Sequence, residues 1–130
     1  MTGVDTNIIV RLLTHDDPGQ AAKADLIFKN NRLFIPETVL LETEWVLRHA
    51  YGFSALAIHG AFLKLCGLPN VSFAHPHRLK MALKWYAEGM DFSDALHLAG
   101  SQECRMFYTF DQKLIRQAHG RGRAKVKEPI

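Results

Sequence analysis

A chain of 130 residues with 16 Lys and Arg, 13 Asp and Glu and a formal charge of +3 has the length of one domain, which buries roughly two-thirds of its unfolded surface. No apolar run approaches the roughly 20 residues of a membrane span, and the first residues lack the basic-then-apolar pattern of a signal peptide; a soluble, cytoplasmic protein with a single domain over residues 1–130 is expected. Cys66 and Cys104 lie far apart with no CxxC spacing, which excludes a disulfide framework or a zinc knuckle and predicts two small core hydrophobes.

The chain reads as alternating short strands and helices. A strand near Thr2 to Asp5 leads into a helix from about Asn7 to Thr14, and "DDPGQ" breaks the chain before a second helix from Gln20 to about Lys29. "RLFIP", Arg32 to Pro36, is a short apolar strand closed by a proline that suits the first turn of the next helix, which runs to about Ala50. A helix from Ser54 to about Cys66 stops at Gly67. "NVSFA", Asn70 to Ala74, is a third strand, and Pro76 to Glu88 an amphipathic helix. "DFSDALHLAGSQ" forms a helix capped by Asp91, "RMFYTF" is a strand, Lys113 to His119 a helix, and Ala124 to Lys127 a weakly marked last strand. This alternation predicts an α/β fold with a parallel sheet and helices on both faces.

In such sheets ligands bind beyond the carboxyl ends of the strands. Asp5 ends the first strand and Asp111 the "RMFYTF" strand, so both carboxylates should project from one edge, as neighbours if those strands pair. Asp94 falls in the first turn of its helix, where negative charge is favoured, and Asp91 is accounted for as the cap. Glu42 has Thr38, Val39, Trp45 and Val46 as helical neighbours and no cation, so its face is expected to point inward. Glu44, with Arg48 four residues on, reads as an exposed ion-pair member on the opposite side. Acids gathered in this way repel one another unless protonation shifts or a divalent cation neutralises them. Oxygen donors suit Mg²⁺ or Mn²⁺, and those metals in turn suit a phosphodiester substrate.

Other residues have ordinary readings. His75 and His77 lack further ligands for zinc, and His97 reads as a core or groove histidine. Trp45, Trp85 and Tyr86 are expected as core or dimer contacts. Arg11 and Lys84 are expected on the solvated surface. The final segment carries Arg116, Arg121, Arg123, Lys125 and Lys127 against Glu128, which makes it either a solvated tail or a polyanion contact.

Four stretches, "VDTNIIV", "IPETVLLETEWVLRHAYGF", "DFSDALHLA" and "YTFDQKL", occur in the order and approximate spacing of PIN-domain ribonucleases, and the chain most resembles the VapC toxins of bacterial toxin–antitoxin pairs. Thr2 and Gly3 stand where that family is usually more apolar. The resemblance spans nearly the whole chain and implies a three-layer α/β/α sandwich with a short, mainly parallel central sheet. It places the acidic quartet of metal and catalytic residues on Asp5, Glu42, Asp94 and Asp111, with Asn7, Thr109 and Asp91 in support, the threonine by hydrogen-bonding a carboxylate or water. The implied activity is a Mg²⁺- or Mn²⁺-dependent endoribonuclease in which metal-activated water leaves 5′-phosphate and 3′-hydroxyl ends. Contacts to RNA are expected at Arg116, Arg121 and Arg123. Similar proteins form homodimers and are held inactive by a cognate antitoxin, so a homodimer or a heterooligomer with antitoxin is expected. Two other functions compete: a catalytically degenerate domain that binds RNA or protein, and a phosphoryl-transfer enzyme with an aspartate nucleophile. The second usually carries another aspartate two residues on, where this chain has Asn7.

Overall fold

A computed structural model describes residues Met1–Ile130, and its seven helices and five short strands fall into two compact units, Met1–Pro76 and His77–Ile130. In the first unit the order is β1 (Thr2–Gly3), α1 (Thr6–Thr14), α2 (Pro18–Asn30), β2 (Leu33–Phe34), α3 (Glu37–His49), α4 (Ala55–Cys66) and β3 (Val71–Ser72). The three strands are parallel in the order β1-β2-β3, with Thr2 opposite Leu33 and Leu33 opposite Val71. Short side chains start the helices: Asp17 accepts from the Gln20 amide at 3.1 Å and Ser54 from the Ala57 amide at 3.1 Å, satisfying donors that a first turn leaves unpaired. Asn70 fastens β3 to the end of α2, its amide nitrogen donating to the carbonyls of Phe28 at 2.6 Å and Asn31 at 2.9 Å. Helix α1 packs on α2 and α3, and α3 on α4. The buried apolar residues of this unit include Ile9, Leu33, Ile35, Leu40, Leu47, Ile58 and Phe62.

From Pro76 the chain forms α5 (Pro76–Ala87), then α6 (Phe92–Ala99), β4 (Met106–Tyr108), α7 (Gln112–Ala118) and β5 (Lys125–Lys127). Strands β4 and β5 are parallel, Met106 opposite Lys125 and Tyr108 opposite Lys127. Ala82, Trp85, Met90, Ala95, Leu98, Ala99, Leu114 and Ala118 form its core, with Phe107 and Val126 packed against it. Tyr86 and Phe92 meet at 5.1 Å between ring centroids.

The mixed α/β architecture with parallel strands is the one expected, and every helix lies within a few residues of its predicted span. Within the units the ladders join β1 to β2, β2 to β3 and β4 to β5. With two exposed residues, Thr2 and Gly3, β1 offers few groups for pairing. The last strand, faintly marked in sequence, is present, so the basic segment is partly ordered backbone and not only a tail.

Gly122 turns the chain toward β5 with φ 73°, a region that favours glycine. A Cβ there would lie 2.9 Å from Nε2 of Gln102 and 3.5 Å from both Leu98 and Trp85. Gly52 has φ 69° but open space around it. Gly52→Ala should therefore cost only the left-handed backbone term, about 1 kcal/mol, whereas Gly122→Ala should cost about 2 kcal/mol because Gln102 must also move. Urea unfolding midpoints that fall equally for the two variants would contradict this ordering.

Candidate active site

In the first unit the backbone emerges from the carboxyl end of β1 at Asp5, which is exposed and caps α1, accepting from the Thr6 amide at 2.8 Å. Thr6 is buried, and its hydroxyl donates a short hydrogen bond to Oε1 of Glu42 on α3. Thr6 thus joins two of the expected acids, one through its amide and the other through its hydroxyl. The resemblance places supporting roles on Asn7, Thr109 and Asp91 and does not include Thr6, whose signal in the sequence is a polar residue directly following the strand-end acid. Asn7 is exposed, and its side chain makes no hydrogen bond within the protein.

The two glutamates of α3 face opposite to expectation. Leu40, Thr43, Glu44 and Leu47 form its buried stripe, Glu44 is 2 % exposed, and Glu42 is exposed. Positions two apart on a helix differ by about 200°, so burying Glu44 turns Glu42 outward. The leucines at positions 40 and 47 define the core face, while Trp45, which had suggested an inward neighbour for Glu42, is 57 % exposed and lies 4.7 Å from the His49 ring. Burial of Glu44 is tolerated because Arg48 grips it with two bonds, at 2.7 and 3.2 Å, the bidentate form that best offsets desolvation.

In the second unit three acids share one neighbourhood. Asp91 caps α6, accepting from the Ser93 amide at 3.0 Å, the Asp94 amide at 3.2 Å and the Ser93 hydroxyl at 2.5 Å. Asp111 is exposed at the carboxyl end of β4 and caps α7 through the amides of Lys113 at 2.9 Å and Leu114 at 3.2 Å. The Thr109 hydroxyl accepts from the Asp111 amide at 3.0 Å, and its own amide donates to the Lys127 carbonyl at 3.1 Å. Thr109 therefore orients the turn that carries the acid by accepting from its backbone. Asp94 is half-buried, and its carboxylate accepts no hydrogen bond from the protein. Desolvation, then the nearby charges of Asp91 and Asp111, hold its carboxyl above the usual carboxylate range, and His97 and Lys113 offset this only in part.

The arginines differ in freedom. Arg121 is held by Glu88 at 3.1 and 3.2 Å and by the Gln117 carbonyl at 2.6 Å, a bracing role within the fold, whereas Arg116 and Arg123 are exposed and unpaired. Arg11 is half-buried in a hydrogen-bonded network and not simply solvated, while Lys84 is exposed. Trp85 and Tyr86 are core residues. Cys66 and Cys104 are exposed free thiols and not core residues, since they sit at a helix end and in the turn before β4. His75, His77 and His97 are exposed.

Within neither unit do three or more His, Cys, Asp or Glu side chains gather closely enough to hold a metal ion. The donors nonetheless suit a hard divalent cation: all are carboxylate oxygens, and around Asp94 their mutual charge is incompletely compensated. The fold is mixed α/β with parallel strands, and acidic side chains follow the carboxyl ends of β1 and β4. Residues 4–120 match the PIN domain model, and the chain belongs to the PIN domain family. PIN domains are typically nucleases dependent on divalent metal. A search of curated proteins and a search of solved structures found no match to this chain. No helix is long and apolar enough to cross a membrane.

Proposed function

We propose that residues 1–130 act as one PIN-like domain, a cytoplasmic Mg²⁺- or Mn²⁺-dependent endoribonuclease serving as the toxin of a toxin–antitoxin pair. The observation that carries this reading is the crowding of Asp94 by Asp91 and Asp111 in a protein of this family. Asp5, Glu42, Asp94 and Asp111 would hold the cation and form the catalytic group. A bound divalent ion supplies Lewis acidity toward phosphate and lowers the pKa of water. Thr6 aligns Asp5 with Glu42, Thr109 fixes the backbone at Asp111, and Asp91 holds the first turn of α6 beneath Asp94. Arg116 and Arg123 offer their charges to the RNA backbone, with Arg121 bracing that surface. Assembly as a homodimer or with the antitoxin, and restraint by that antitoxin, complete the proposal.

Digestion of total RNA with Mg²⁺ or with chelator, using wild type and Asp5→Asn, tests it. Cutting confined to the wild type with Mg²⁺, with 5′-phosphate ends on sequencing, is expected. Equal cutting by both proteins, or cutting that survives chelation, would refute it, and RNA binding without any cleavage would favour the degenerate binding module.

A further inference from the structure

Along α1 from Asp5, an open cleft of about 230 Å³ is lined by Asn7, Ile8, Arg11, Gln20 and Lys23. Arg11 is locked into place: its Nε donates to Gln20 at 2.7 Å, and its Nη1 donates to Asp16 at 3.0 Å and to the Tyr51 hydroxyl at 3.1 Å. The Tyr51 hydroxyl in turn donates to Asp16 at 2.5 Å. These bonds orient the guanidinium and leave Nη2 without a protein partner. Lys23 is exposed, and its ammonium has neither a hydrogen bond nor an ion pair. The cleft thus has one fixed cationic donor, Arg11, whose charge is shared with Asp16 at 3.0 Å, and one mobile, unpaired one, Lys23, beside an apolar floor at Ile8.

We infer that this cleft is a binding subsite for single-stranded RNA in which Lys23 and Nη2 of Arg11 hold a backbone phosphate away from the cutting position and Ile8 supports the adjoining sugar or base. The inference rests on the ribonuclease reading above and extends it to how the strand is positioned. Arg11 lies six residues beyond Asp5, about 9 Å along the helix axis at 1.5 Å per residue and about 120° around it, and Asn7, one turn before Arg11 on the same face, also lines the cleft, so a strand passing from acid to cleft would wrap partly around α1. A fixed arginine fork and a flexible ammonium are complementary ways to bind phosphate. An acidic protein segment would also meet the two charges. The shared helix with Asp5 and the apolar floor favour RNA, for which grooves combining cations with a surface for the base are usual.

Binding of a short, fluorescein-labelled single-stranded RNA of mixed sequence, followed by anisotropy in chelator at several salt concentrations, tests the subsite without cleavage. Lys23→Ala should weaken binding about three- to tenfold at low salt and reduce the slope of log affinity against log salt by about 0.7, the loss expected for one phosphate contact on a single strand. Lys23→Arg should restore both, and Lys80→Ala, on an exposed position of α5, should change neither by a comparable amount. Affinity and slope unchanged in Lys23→Ala overturn the subsite even if the wild type cuts RNA with Mg²⁺. Unchanged RNA affinity with weakened binding of polyglutamate assigns the cleft to an acidic protein instead. A wild type that binds no RNA in chelator also overturns the subsite, and the ribonuclease reading is then decided by the cleavage assay alone. Loss of affinity in Lys23→Ala without cleavage by any form supports the subsite while removing the catalytic reading.

Discussion

Asp94→Asn should cut RNA about a thousandfold more slowly than wild type, beyond the roughly 10–100-fold typical of residues that only orient metal ligands. The same variant should be more stable than wild type when no metal is present. Folding raises the Asp94 pKa through desolvation and through Asp91 and Asp111, so the native state binds protons more readily than the unfolded chain. Stability of the metal-free protein therefore falls as pH rises from the ordinary carboxylate range through the raised native value. An amide at position 94 carries no charge to desolvate or repel, and it removes this loss. Thermal melts in chelator across mildly acidic to neutral pH should show wild type declining relative to Asp94→Asn. Added Mn²⁺ should then raise the Tm of wild type more than that of the variant. Parallel pH curves with identical metal shifts would show that Asp94 is neither crowded nor a ligand.

Thr6→Val should lower the cleavage rate about 10–100-fold, the range for partners that hold ligands in place, because valine keeps the shape of threonine and loses the hydroxyl that donates to Glu42. Thr6→Ser should recover most of the rate. The amide bond from residue 6 to Asp5 is untouched by either change, so the pair isolates the link to Glu42. Single-turnover cleavage at saturating RNA is the measurement, and a valine variant as fast as the serine variant would remove Thr6 from the site.

The helices were legible because their signals are local. Asp5, Asp17, Ser54, Asp91 and Asp111 each sit where a capping side chain is needed, and each caps the helix that follows. The strands were less so: stretches read as four to six residues form ladders of two or three, because apolar composition marks burial and not the length over which backbones pair. Glu42 and Glu44 were assigned to the wrong faces because Trp45 was counted as core, when the leucines at positions 40 and 47 already defined the buried side. Thr6 could be read as a helix-start residue but not as a link to α3, since its hydrogen bond spans 36 positions in the chain. The acids were recognisable by type and position, which is chemistry a sequence displays directly.

Asp5, Asp91 and Asp111 all serve as the first side-chain acceptors of their helices, and asparagine fills that post about as well as aspartate. Replacing Asp5 or Asp111 by its amide should silence chemistry while sparing the scaffold, whereas alanine would confound the two; Asp91→Asn should keep its cap and spare both. One nucleotide change converts an aspartate codon to asparagine, so a lineage carrying this fold stands a single mutational step from a well-folded, inert decoy.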